Sequence, residues 1–188
     1  MGSSGVGIRL GVQADGDAIA SIHVRAWQSA YRGLIPDEFL DGLSVERRLE
    51  WWRPALADQA AGRGSQRIWV AKRSGRAVGF ASTGPSRDED AAPGTGEVYA
   101  IYVDPDLTRR GIGGALLSRA TRDLRDREYS AATLWVLGTN ARTRRFYEAA
   151  GWREDGATKT DVLPGFELPE VRYRIDLSGG PTPPRPAS

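Results

Sequence analysis

The sequence predicts a single α/β domain of the α+β kind, and three observations predict it. An N-terminal stretch repeats its apolar residues with a helical period, two β-rich runs flank a Ser74-Gly75 turn, and the strand-like GEVYAIYV leads through a glycine-rich turn into a second helical pattern. A length of 188 residues with 40% apolar and 27% charged suits one compact domain with a real core.

Residues 1–5 read as a flexible leader and 6–12 as a short extended lead into a domain that spans 6–177. From Asp15 or Asp17, either able to cap, a helical pattern runs to about Tyr31 with Ile19, Ile22, Ala26 and Ala30 on an inward stripe. His23, Trp27 and Tyr31 recur every four residues and share a neighbouring face. Gly33 breaks this helix, and Pro36 followed by Asp37 and Glu38 marks a second start. A third helix is expected over 45–57, with Pro54 placed to kink or end it.

Gly62 and Gly64 open the chain into a sheet region, where 67–72 and 77–83 form a hairpin. The polar stretch 85–96 reads as an exposed, mobile loop. Residues 97–103 give a strong strand signal, turned out of the sheet by Asp104, Pro105 and Asp106. From Gly113, Leu117, Ala120 and Leu124 hold a helical period, with Ile112 and Leu116 beside them. Residues 133–137 form the next strand, Asn140 caps a helix reaching Ala150, and Gly151 ends it. Trp152 turns the chain back into the sheet and 171–177 closes it. From about Ser178 a proline-rich, disordered tail is expected, with four prolines in the last eight residues.

Composition narrows the function classes. No apolar run approaches the roughly 18 residues of a membrane span. The N-terminus lacks the charged region and apolar run of a secretory signal, so a cytoplasmic location is expected. Without cysteine there are no disulfides, thiol nucleophiles or thiolate metal ligands, and one histidine, His23, makes a metal enzyme unexpected. With 26 basic and 24 acidic residues the charge is too balanced to indicate a nucleic-acid binder. Arg109, Arg110, Arg142, Arg144 and Arg145 cluster near the glycine turn and the following helix, either as solvated faces or toward an anionic ligand.

The segment VDPDLTRRGIGGALL has a phosphate-binding logic. Gly111, Gly113 and Gly114 allow close backbone approach, and the helix beginning among them aims free amides and its positive dipole end at the same point. Glycines there could instead serve only tight packing of the loop against the sheet. The segment lacks the Gly-Lys-Ser or Gly-Lys-Thr ending of a nucleoside triphosphatase loop. It also comes too late, after a hairpin, for a dinucleotide fingerprint.

This segment resembles the acyl-CoA signature of the GNAT superfamily of N-acetyltransferases, with Thr108, Arg109, Arg110, Gly111, Ile112 and Gly113 in register. Thr108 stands where Gln or Arg is usual. A second segment, TNARTRRFYEAAGW, is similar to the superfamily's later Asn-to-Phe-Tyr-Glu motif, and with EVRYRIDL the likeness covers about residues 6–177. The resemblance implies a mixed, mostly antiparallel sheet of six or seven strands with flanking helices, whose central parallel pair, 97–103 and 133–137, splays apart. It implies acetyl-CoA as cosubstrate, with pyrophosphate on the amides from Arg109 to Gly114. Asn140 would lie on the pantetheine arm, and an amide near Tyr102 or Val103 on the acyl carbonyl.

The implied reaction is N-acetyl transfer by direct attack of a primary amine in a ternary complex. Tyr147 is the candidate general acid and Glu97 the leading general base, with His23 its rival because its ordinary pKa lies near 6.5. His23, Trp27, Tyr31 and Glu97 are candidates for the acceptor side, although helix packing accounts for the aromatics equally well. A small-molecule amine is the expected acceptor, with a protein or peptide amine as an alternative, and Asp88, Glu89 and Asp90 could attract a cationic one. A non-catalytic acyl-CoA binding module is the reading from another class, as is a domain that keeps the fold and has lost the ligand. The last strand could pair or pack with a second copy, so a homodimer is a further expectation.

Overall fold

The computed structural model describes residues 5–108 and 110–179. The expected leader, Gly5 apart, and the expected tail from residue 180 lie outside the described residues, as does Arg109. Seven strands form one sheet in the order β1-β2-β3-β4-β5-β7-β6. They are β1 (Gly7–Leu10), β2 (Arg67–Arg73), β3 (Arg76–Pro85), β4 (Thr95–Val103), β5 (Ala131–Leu137), β6 (Arg153–Leu163) and β7 (Phe166–Asp176). Five helices flank them: α1 (Gly16–Ala30), α2 (Asp37–Asp41), α3 (Val45–Ala60), α4 (Ile112–Asp126) and α5 (Ala141–Ala149).

Local chemistry sets most boundaries. Ser74 and Gly75, at φ 49° and 79°, supply the left-handed turn between β2 and β3. Ser44 caps α3 by accepting from the Arg47 N–H, and Asn140 caps α5 by accepting from the Thr143 N–H. Asp15 does not cap α1. Its carboxylate instead receives Arg9 and the Val12 N–H, tying β1 to the turn before the helix. Pro54 lies inside α3, which continues past the expected end at 57. Ala30 is exposed, so the buried stripe of α1 ends at Ala26.

Apolar residues cover both sheet faces. On one, Leu116, Leu117 and Leu124 of α4 pack with Leu134, Val136 and Trp152; on the other, Ile19 and Ile22 of α1 and Trp52 and Leu56 of α3 meet Ile68, Val70 and Phe80. Burial of each such large side chain stabilises the fold by about 1.5–3 kcal/mol.

All neighbouring strands pair antiparallel except β4 and β5, and those two pair only from Thr95–Glu97 to Ala131–Thr133. Beyond Glu97 they diverge, leaving a gap in the middle of the sheet. The loop expected at 85–96 is shorter, because β3 runs through Pro85 and β4 begins at Thr95. Nor is it wholly solvated. Arg87 turns onto Glu97, and Asp88 and Asp90 hold Arg172, so the acidic run already has a cationic partner within the chain.

Candidate active site

Hydrogen-bond alternation decides which groups face the gap. In an antiparallel pair, opposed residues alternate between exchanging their N–H and C=O bonds and pointing them outward. Asp104 N–H donates to Val78 C=O at 2.9 Å, and the register pairs Val103 with Gly79 and Tyr102 with Phe80. The Tyr102 amide is therefore spent on β3, whereas the Val103 N–H points toward the gap. This corrects the expectation for Tyr102, which serves the site through its side chain instead.

Below the gap lies the N-terminus of α4. Gly111 caps it at φ 76°, a left-handed conformation that disfavours any side chain. Gly113 and Gly114 fall in the first turn. A Cβ at Gly113 would meet Phe146 and Val103 at ordinary contact distance, but at Gly114 it would meet nothing within 4 Å. Packing does not demand a glycine at Gly114; close approach of a ligand to the first-turn amides would. Ile112 is buried under this turn, so its side chain anchors the loop and only its backbone faces outward. Arg110 is exposed beside it. Arg25 of α1 steadies the loop by donating to Asp104 and Asp106.

α5 supplies the other wall. The Asn140 side-chain oxygen is used in its cap, which leaves the amide NH2 as the end able to donate outward. Asn140 and Tyr147 are both buried. Burial, then the neighbouring Tyr102 phenol, pushes the Tyr147 hydroxyl well above the ordinary tyrosine range. That coupling across the gap matters, because Tyr147 belongs to the α4 and α5 face and Tyr102 to the opposite one. Of the other helix arginines, Arg144 is committed to Tyr173, Gly138 and Glu154, while Arg142 and Arg145 are exposed.

On the α1 and α3 side the gap opens into a cavity of about 720 Å³. His23 and Trp27 of α1 and Tyr31, which caps its C-terminus, line it, with Arg48 and Trp51 of α3, Tyr102 and Glu97 of β4, and Lys159, Leu168 and Glu170 of the last two strands. These three aromatic candidates are thus brought together, and Trp27 Nε1 donates to the Tyr102 hydroxyl at 2.9 Å. Two carboxylate and imidazole assignments change. Both oxygens of Glu97, only 2% exposed, accept from Arg87, whose own side chain is largely exposed, so the carboxylate is committed to an ion pair that fixes the loop over the cavity rather than standing free for proton uptake. His23 is pushed down to about 3 by burial and then by Arg48, which leaves it neutral and weakly basic.

Glu170 is the residue sequence reasoning missed. It stands beside Leu137 in the β5–β7 register and lines the cavity. Burial raises its pKa, Lys159 opposes the rise, and Asp161 and Glu97 add to it. Its only sequence signal was an acidic residue between Leu168 and Val171 in a strand whose inward side is apolar.

Residues 17–152 match the Acetyltransferase (GNAT) family. The chain belongs to that family. A Mycobacterium tuberculosis protein named as a probable N-acetyltransferase is 30% identical over 182 residues, covering 96% of this chain and 99% of the relative. The mycothiol acetyltransferase of Beutenbergia cavernae is 33% identical over 143 residues, 76% of this chain but 42% of the relative. Among solved structures, yncA of Salmonella typhimurium, determined with acetyl-CoA as its cofactor, superposes with a TM-score of 0.68 at 26% identity, covering 95% and 97% of the two chains. Family membership makes the chain an acetyltransferase, with acetyl-CoA as its cosubstrate. Among the described residues no helix is long and apolar enough to cross a membrane.

Proposed function

We propose that this GNAT acetyltransferase moves the acetyl group of acetyl-CoA to the primary amine of a small molecule, by direct attack within a ternary complex. The observation that carries the reading is the gap between β4 and β5. It joins a glycine-lined helix N-terminus and the Tyr147 hydroxyl on one face to an aromatic cavity on the other. That cavity, about 720 Å³, falls within the range that encloses small ligands.

When bound, acetyl-CoA supplies an acetyl group already activated as a thioester. The amides from residue 110 to Gly114 hold its pyrophosphate, and the Asn140 NH2 donates to its pantetheine arm. The Val103 N–H, free of any partner strand, donates to the acyl oxygen as negative charge develops there. Glu170 takes the proton that the amine must lose, its raised pKa suiting it to hold that proton. The nitrogen–carbon bond forms, the carbon–sulfur bond breaks, and Tyr147 Oη gives its proton to the departing thiolate. Its raised pKa keeps that proton in place until then.

Thiol release from acetyl-CoA, measured across a panel of small primary amines and of peptides, tests the reading. Release with small amines is expected, and Tyr147→Phe should lower kcat by about a hundredfold or more while acetyl-CoA Kd stays within about threefold. Turnover confined to peptides would contradict it.

A further inference from the structure

The cavity's charges are unevenly satisfied. Of the cations that line it, Arg63 pairs with Asp58, Arg87 with Glu97, and Lys159 with both Glu170 and Asp161. Among the described residues, Arg48 has no carboxylate partner and no hydrogen bond from its guanidinium. It is held by two rings, 5.2 Å from the Trp27 centroid and 5.1 Å from that of Trp51. Trp51 is 68% exposed and lines the cavity, so its ring holds the guanidinium at the solvent side of that wall. At the other end the count reverses, with one ammonium facing two carboxylates. One unpaired positive group and one surplus negative group thus face the same aromatic floor, where Arg48 and Glu170 both act on the Tyr102 phenol. Burial lowers the Arg48 pKa, the mark of a charge that has given up water without gaining an anion.

We infer that the acceptor is a zwitterion, an amine carrying one carboxylate and an apolar body. Its carboxylate is received by Arg48 between Trp27 and Trp51, and its amine is held at the Glu170 end of the cavity. A monoanion matches a single unpaired guanidinium, whose planar edge offers a carboxylate parallel donors. The walls of Trp27, Phe39 and Trp51 suit an apolar body between the two ends. The chemical class is an amino acid or an amino-acid-like metabolite. This rests on the acetyltransferase reading and adds the identity of the acceptor to it.

The experiment compares matched acceptors: apolar L-amino acids, their carboxamides, and the corresponding decarboxylated amines. Each is assayed by thiol release with wild type, Arg48→Gln and Arg48→Lys, after acetyl-CoA Kd and melting temperature confirm that the variants are folded. Wild type is expected to favour the carboxylates over the carboxamides by about tenfold to a hundredfold in kcat/KM. In Arg48→Gln that ratio should collapse to near one, chiefly through KM, and Arg48→Lys should restore part of it. Equal use of neutral and anionic acceptors, a ratio that survives in Arg48→Gln, or no turnover of any member while acetyl-CoA still binds would each overturn the inference. Absence of acetyl-CoA binding is a separate result, which removes the transferase reading and this inference with it.

Discussion

Trp52 Nε1 donates a 3.1 Å hydrogen bond to His23 Nδ1, and the imidazole stacks on Tyr102 with centroids 4.7 Å apart. The acceptor role of Nδ1 puts the proton on Nε2 and leaves the neutral ring no room to become a cation without losing this bond. His23 therefore holds the floor of the cavity rather than moving protons within it.

This relationship fixes a pH dependence of stability. His23 has a pKa of about 3 when folded, against an ordinary 6.5. Between those values the unfolded chain binds more protons than the folded one, so stability rises with pH. The contribution is complete above about 6.5 and is lost as pH falls toward 3, at up to about 1.4 kcal/mol per pH unit. Urea unfolding of wild type and His23→Gln between pH 4 and 7 should show the steeper acid slope in wild type. Equal slopes would mean that the imidazole titrates normally.

Glu170 and Glu97 should separate cleanly. Glu170→Gln is expected to lower kcat by about a hundredfold with little loss of stability, and to abolish an acid limb of the pH–rate profile lying above the ordinary carboxylate range. Glu97→Gln strips the buried partner from Arg87 and should cost about 1–3 kcal/mol of stability. Parallel pH–rate and denaturation measurements decide it; an acid limb that persists in Glu170→Gln rules out that residue as base.

Gly114 offers a test in which stability and binding move in opposite directions. A methyl group there meets open space, and replacing a helical glycine by alanine is worth about 1 kcal/mol. Calorimetry without ligand should show Gly114→Ala melting about 2–4 °C higher than wild type. A fall in melting temperature would mean that packing, not a ligand, requires the glycine.

The parts of the site that depend on neighbouring residues alone were legible in the sequence. Gly111 and Asn140 announce themselves through glycine spacing at a helix start and through a side-chain cap, which need only a few residues to define. The strand pair that splays was also anticipated, from the resemblance. What escaped depends on register across the sheet. Tyr102 and Val103 are adjacent, and only the Asp104–Val78 bond assigns one amide to β3 and the other to the gap. Glu170 enters the cavity because β7 inserts between β5 and β6, an order the sequence does not show. Arg48 reads as one more solvated charge in VERRLEWW until the cations around it are matched to their carboxylates.

Isothermal titration of acetyl-CoA into wild type and Gly114→Trp, with folding of the variant checked by circular dichroism, tests the central claim most directly. Gly114 is the better position than Gly113, where a large ring would strike Phe146 as well as a ligand. Saturable binding of one acetyl-CoA per chain by wild type, lost in the folded variant, is the predicted result. No binding by wild type, or undiminished binding by the variant, would contradict the assignment of the α4 N-terminus as the cosubstrate site.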